Sequence, residues 1–440
     1  LSAKFSCGRE TRCFLQAGDY NPGALSTLEG AAVADRFTEL TGFLISASEI
    51  WRPRPFILEE LPWEEEFGGL ASWLRRLEEG QVDQLSIEIM NGRSLADFPG
   101  APRELVRFQD EARSLTALGA VGGAEVSAEL LSRQGELRRS VPGRKWRQVE
   151  YFAAAVMELL PDDVVRVVDW CAGKGCLGRT VSFLSGLPAL LLERRETLRE
   201  QALEAATKSG ANCSFTPLDV FDDQAALLLG EDTAVVGLHA CGSLTDELLE
   251  KCVSRRVRSL AVSSCCYNKL REGSSYRPLS ARGREAGLEI DRHGLRLACQ
   301  DEWVASPRER GSRRRELAWR LGLDLLVRGE KSTRRYTTQG ALPRRYFDLS
   351  FGDFCRRVSA EASLELPASW DETLAERAGR ERALRARGLG IFRSIFRRPL
   401  EVWIALDRAL FIEEAGRPAR VGTFCPPSVT PRNLLISSVS

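Results

Sequence analysis

Two residue types that build many metal and redox sites are nearly missing here. The chain of 440 residues holds only two histidines, His239 and His293, and two methionines. So few imidazoles nearly exclude a histidine-rich metal centre, and Cys7 and Cys13 are too few and too widely spaced for a zinc knuckle. No metal is expected. No apolar run approaches 18 residues, so no membrane association through a spanning helix is expected either. The opening LSAKFSCGRETRC lacks the apolar core of a signal peptide. An excess of one charge is also absent, with 62 basic residues against 61 acidic. A global basic field for nucleic acid is therefore excluded, although local patches stay open. Only seven of the basic residues are lysines, an arginine bias that reads as composition rather than function.

What is present is a globular chain. Hydrophobic residues make up 43% of it, and the length suits two or three domains. Twelve cysteines in so long a chain, without a signal, are expected as thiols in a reducing cytoplasm.

Residues 1–140 read as a helical accessory domain, with apolar residues at helical spacing in 28–45, 67–77 and 105–118. From Val164 strands alternate with helices. Strands are expected at Val164–Asp169, Ala189–Glu193, Cys213–Leu218, Thr233–His239 and Ser259–Ser263. Continuous apolar strands joined by helices imply a parallel sheet covered on both faces. An insertion at about 275–380 follows, then a helix over RPLEVWIALDRALFIEE and a closing hairpin of RVGTF and LLISS. Residues 141–440 thus predict an α/β domain with a seven-stranded Rossmann-like sheet whose last strand is antiparallel.

The stretch VVRVVDWCAGKGCLGRT admits three readings. Gly173, Gly175 and Gly178 spell the dinucleotide pattern G-x-G-x-x-G. Gly173 to Thr180 is one residue from a P-loop. Asp169, Cys171, Gly173 and Gly175 resemble the D-x-G-x-G-x-G turn of S-adenosylmethionine enzymes, with cysteine for the first glycine. The P-loop reading fails because Arg179 stands where a lysine must reach the terminal phosphates. Glu193, closing the second strand, suits ribose hydroxyls, and Asp219 in PLDVF suits an adenine amino group. Bland readings stand beside both, a helix-capping acid and a turn-forming aspartate. Five parallel units and a terminal hairpin favour a class I methyltransferase, whereas an NAD domain usually continues into a substrate domain. In this reading Gly178 merely starts the helix.

The blocks DWCAGKGCLGR, LHACGSLTD, CCYNKL and TPRNLLI, in this order, resemble the methyltransferase-like 25 and rRNA adenine dimethylase domain-containing proteins, which carry methyltransferase domain 32. They are more distantly similar to the tRNA acceptor-stem 2′-O-methyltransferases. The likeness covers about residues 140–440. It departs from the tRNA enzymes in lacking their Cys/His zinc segment and in having Tyr267 and Asn268 where those have histidines.

The expected cofactor is S-adenosyl-L-methionine, bound by Asp169, Cys171, Ala172, Gly173, Gly175, Glu193, Asp219, Val220 and His239. Candidates near the transferring methyl are His239, Cys241, Cys265 and Cys266. His239 is read as a base or orienting group, against a structural loop histidine. The cysteines are read as pocket lining, with a nucleophilic role the less favoured alternative. Arg144, Lys145, Tyr267, Arg432 and Asn433 are candidate substrate contacts. RNA is the expected partner, from RERGSRRREL with Trp319 close by and from Lys331, Arg334, Arg335 and Tyr336 beyond. A solvated helix face is the plain alternative. A silent fold serving as a binding module, or a protein methyltransferase, stands as the rival function.

Overall fold

A computed structural model describes residues 26–58, 60–121, 134–138, 141–300, 306–329, 336 and 340–440. At its centre lies one twisted sheet with strand order β1-β7-β8-β6-β5-β2-β3-β4. These strands are β1 (Leu28–Glu29), β2 (Arg166–Trp170), β3 (Ala189–Glu193), β4 (Cys213–Pro217), β5 (Thr233–Leu238), β6 (Ser259–Ser263), β7 (Arg420–Thr423) and β8 (Leu434–Val439). Strands β2 to β6 pair in parallel, and β8 runs antiparallel between β6 and β7. Seven strands with a reversed last member make the class I methyltransferase sheet, as the sequence predicts.

An eighth strand departs from expectation. Leu28 and Glu29 do not belong to a helix but pair with Val421 and Arg420 at the sheet edge. The helix starts only at Ala31, after Gly30 turns the chain at a φ of 55°. Two residues paired in this way cover the exposed edge of β7.

Alternation along the strands divides the apolar side chains between two cores. Val167, Ala189, Val236 and Ala261 face the Gly143–Glu158 and Cys176–Ser185 helices. Val168, Trp170, Leu192 and Val262 face the opposite side, where the Ser243–Ser254 and Arg397–Glu414 helices pack with helices from residues 31–115. There Phe37 stacks on Trp403 with centroids 5.0 Å apart, and Trp403 Nε1 donates to Thr41 Oγ1 at 2.8 Å. Truncating a buried aromatic of this kind costs roughly 3–5 kcal/mol.

A third cluster fills the space between the Pro307–Arg328 and Glu372–Ser394 helices, centred on Trp319, Phe347 and Phe354. Chain reversal around β2, with β3 on one side and β5 on the other, opens a crevice at the C-terminal strand ends. In doubly wound sheets that crevice is where ligands bind. Among the described residues, no helix is long and apolar enough to cross a membrane.

Candidate functional site

Strand β2 ends in the turn that the sequence singles out. Cys171, Gly173 and Gly175 all adopt left-handed backbone, with φ of 59°, 58° and 65°. This folds the chain back sharply enough to start the Cys176–Ser185 helix directly above β3. Gly175 needs its missing side chain twice over, for its φ and because a Cβ would lie 2.5 Å from Leu191 Cδ1. Gly173 faces open space instead. Ala172 N donates to Leu192 O at 2.9 Å and ties the turn to β3. Cys171 holds a left-handed conformation that ordinarily favours glycine, and burial pushes its thiol up to about 12, so it stays protonated.

Gly178 has a larger role than starting the helix, which begins two residues earlier at Cys176. Its N–H donates to Asp169 Oδ2 at 2.8 Å. A Cβ there would collide with Leu191 and lie 2.9 Å from Asp169 Cβ. The third glycine therefore lets the helix approach the strand and engage Asp169. Burial raises the Asp169 carboxyl to about 7, against the opposing pull of the Gly178 hydrogen bond and of Lys145.

Glu193, at the end of β3, reaches across to the turn. Its Oε2 accepts from Gly173 N at 3.0 Å, and its Oε1 accepts from Arg195 N and Nε at 3.1 and 2.8 Å. Burial alone would raise this carboxyl, but the Arg195 and Gly173 hydrogen bonds outweigh it and hold it low. Asp219 follows β4 with its side chain half exposed. Its Oδ1 accepts from Phe221 N at 3.2 Å, which makes it a turn former, and Oδ2 meets Arg194 at 3.4 Å. Val220 is buried, its carbonyl accepting from Lys251 Nζ at 3.1 Å.

Beyond β5 the LHACG block forms the opposite lip. His239 has a φ of 67°, and its Nε2 lies 2.7 Å from Gln148 Oε1. Burial lowers its pKa to about 4, helped by Lys145 and Arg432, so the ring is neutral near pH 7. With Gln148 Oε1 as acceptor the proton sits on Nε2 and Nδ1 is left as an acceptor. The three candidate cysteines come together: Cys241, Cys265 and Cys266 place their sulfurs within 4.8 Å of one another.

The candidate substrate contacts separate. Arg144 and Lys145 are exposed at the start of the Gly143–Glu158 helix. Arg432 donates to Cys299 O at 2.6 Å and approaches Cys266 Sγ at 3.6 Å. Tyr267 and Asn433 turn inward instead of lining the cleft. Tyr267 is buried with its hydroxyl 3.4 Å from Glu401 and Arg408 over its ring. Asn433 is buried with Oδ1 accepting from Arg398 at 2.9 Å and Nδ2 donating to Cys425 O at 2.7 Å.

The arginine-rich run is also corrected in part. Trp319 is buried rather than offered to a base, and its Nε1 donates to Glu376 at 2.9 Å. Arg314 pairs with Glu79 and Asp83, and Arg315 donates to Phe347 O. Tyr336 packs edge-on against Phe56. Lys331, Arg334 and Arg335 lie outside the described residues.

Three groups that shape the rim escaped the sequence reading. Gln148 fixes His239, Arg195 clamps Glu193, and buried Arg408 holds Asp246 of LHACGSLTD at 2.7 and 3.0 Å. Only Gln148 left a signal, a polar residue on the buried face of an amphipathic helix.

The turn and the two carboxylates fit a nucleoside. Gly173 leaves room at the centre, Glu193 Oε2 accepts only from Gly173 N and keeps a lone pair for a ribose hydroxyl, and Asp219 stands half exposed beyond it. Fold and site together define a class I methyltransferase domain. S-adenosylmethionine is its cofactor.

Comparison with known proteins agrees at that level. Residues 144–273 match the family described as a methyltransferase domain. A Xenopus laevis "Glutathione S-transferase C-terminal domain-containing protein" is 29% identical over 184 residues, covering 40% of this chain and 28% of that protein. A Drosophila melanogaster homologue of the same name is 32% identical over 131 residues, covering 29% of this chain and 21% of that protein. The matches thus span under a third of these relatives' lengths, and their printed name differs from the groups that the motifs resemble. A solved magnesium protoporphyrin IX methyltransferase from Synechocystis PCC 6803 with bound SAH overlaps at a TM-score of 0.24 and 16% identity, covering 32% of this chain and 68% of that one. So low an overlap carries no argument; the fold class stands on the strand order.

Proposed function

We propose that the chain is an S-adenosylmethionine-dependent methyltransferase that acts on RNA. The observation that carries the first part is the Glu193 carboxylate, bonded to Gly173 N at 3.0 Å beneath a turn open at Gly173. When bound, the cofactor supplies an electrophilic methyl group to an acceptor aligned with it. Glu193 Oε2 accepts from a ribose hydroxyl, and Asp219 accepts from the adenine amino group. Asp169 fixes the turn through Gly178, which sets the height of the cleft floor. Gln148 locks the His239 ring so that its other nitrogen orients the acceptor at the rim. Arg432 closes the lip opposite.

RNA as the acceptor rests on less. Arg144 and Lys145 are exposed cations above the cleft, and Arg308 and Arg313 are exposed on the Pro307–Arg328 helix. The ordered blocks DWCAGKGCLGR, LHACGSLTD, CCYNKL and TPRNLLI support a place beside the methyltransferase-like 25 proteins. The test is incubation with radiolabelled S-adenosylmethionine and cell extract, followed by separate RNase and protease digestion. Label released by RNase supports this reading. Label released only by protease refutes the RNA part and leaves methyl transfer standing.

A further inference from the structure

Among the described residues, one group of side chains outside the nucleoside-binding turn gathers three sulfurs. Cys241 Sγ lies 2.9 Å from Cys265 Sγ, Cys265 Sγ lies 3.7 Å from Cys266 Sγ, and all three fall within 4.8 Å. Cys265 is buried, while Cys241 and Cys266 are partly exposed, so the group is partly open to solvent.

The backbone holds these sulfurs together. His239 N donates to Ser263 O at 2.9 Å, and Ser243 N donates to Lys269 O at 3.1 Å. Ser264 Oγ donates to Ala240 O at 3.1 Å and accepts from Thr245 Oγ1. Gly242 sits at a φ of 57°, where a Cβ would overlap Lys269 O and lie 3.1 Å from Cys266 O. The two loops can meet this closely only with glycine at that point. The convergence of Cys241 on Cys265 and Cys266 is therefore built in by main-chain contacts on both sides of the group.

We propose that Cys241, Cys265 and Cys266 form a three-thiolate site for a thiophilic d10 metal ion, Zn²⁺ or Cu⁺, on the rim of the cleft. Sulfurs bound at about 2.3 Å around one ion stand roughly 3.8–4.0 Å apart, so the Cys265–Cys266 pair is already near that spacing. The Cys241–Cys265 pair needs to open by about 1 Å, within reach of a small side-chain rotation. An all-sulfur ligand set selects soft ions over magnesium, calcium or manganese. The guanidinium of Arg432, 3.6 Å from Cys266 Sγ, offsets part of the negative charge of three thiolates. Each thiol that coordinates releases one proton to solvent, and no electron is transferred. Three protein ligands with a partly open face leave a further position for a small donor, as in metal sites that bind a reactant. The site stands on the sulfur geometry and does not depend on the methyl-transfer reading.

The test uses the full chain purified under thiol reductant. It is loaded separately with Zn²⁺ and with Cu⁺, passed over a desalting column, and assayed for metal by mass spectrometry. About one equivalent retained per chain, with three sulfur ligands by X-ray absorption, is expected for at least one ion. The arm that retains its metal identifies which of the two binds. Cys241→Ser and Cys266→Ser should each weaken retention at least roughly tenfold. Cys213→Ser, at the far end of the sheet on β4, should retain it in full. Circular dichroism and S-adenosylhomocysteine calorimetry on the same samples separate loss of the site from loss of the fold. Retention well below one equivalent for both ions overturns the proposal. So does equal retention in the Cys241→Ser/Cys266→Ser double variant. A Cys241–Cys265 disulfide found by mass spectrometry in the reduced protein also overturns it.

Discussion

The rim of the sheet and the helical lobe of Pro307–Arg328 with Glu372–Ser394 carry opposite lessons. Both contain glycines that admit no side chain and charges that are buried. At the rim, the left-handed residues Cys171, Gly173, Gly175, His239 and Gly242 converge on one crevice, and Gly173 there faces open space. In the lobe, the glycines serve the packing of one helix on another: a Cβ on Gly379 would overlap Ala318 O and lie 2.8 Å from Gly322 Cα. Two of the lobe's arginines turn to one of its own acids, Arg382 and Arg328 both meeting fully buried Asp324. Strained backbone converging on one open crevice marks a ligand site, whereas arginines paired with buried acids mark a self-satisfied structure.

Paired glycine substitutions test this contrast most severely. Gly178→Ala and Gly379→Ala should each destabilise the protein by roughly 2–3 kcal/mol through overpacking, read from denaturant midpoints. Only Gly178→Ala should also abolish S-adenosylhomocysteine binding. Equal loss of binding in both would erase the distinction between rim and lobe. Next in size, Glu193→Ala should weaken S-adenosylhomocysteine binding by about 10- to 100-fold in calorimetry, the worth of hydrogen bonds to a charged acceptor. An Arg382→Ala variant, which touches only the lobe, should leave that affinity unchanged.

The buried Asp169 gives the rim a pH signature. Its carboxyl is raised from 3.8 to about 7 in the folded chain, so between those values the native state holds a proton that the unfolded state has lost. Its contribution to stability is thus full below about pH 3.8 and is lost as pH rises through 7, by up to about 1.4 kcal/mol per pH unit. Asp169→Asn, which keeps an acceptor for Gly178 N, should remove this slope from a series of melts between pH 5 and 8, as a rough window. An unchanged slope would contradict the assignment. The smallest effect is expected at the odd cysteine: Cys171→Gly should stabilise the protein by roughly 1 kcal/mol by relieving left-handed strain. A loss of stability would show that the thiol packs better than it strains.

The same contrast explains what the sequence could disclose. Strands β3 and β6 begin and end where the apolar runs place them, because a strand covered on both faces must be continuously apolar. The turn after β2 is legible because its glycines meet local demands of φ and space. Gln148 and His239 are 91 residues apart, and Arg408 and Asp246 are 162 apart. No local pattern announces such pairs. Trp319 misleads for the same reason: an aromatic among arginines has the composition of an RNA contact, and only the neighbouring helix shows it to be core. Tyr267 and Asn433 sit in motifs beside the site, but the loops that carry them turn these side chains inward. The three gathered thiols come from two loops 24 residues apart, joined only by the folded sheet.

The most direct test of the central claim is titration calorimetry of the purified chain with S-adenosylhomocysteine and, separately, with NAD. The rim geometry predicts one S-adenosylhomocysteine site per chain, weakened in Glu193→Ala, and no NAD binding. Saturable NAD binding without S-adenosylhomocysteine binding would contradict it.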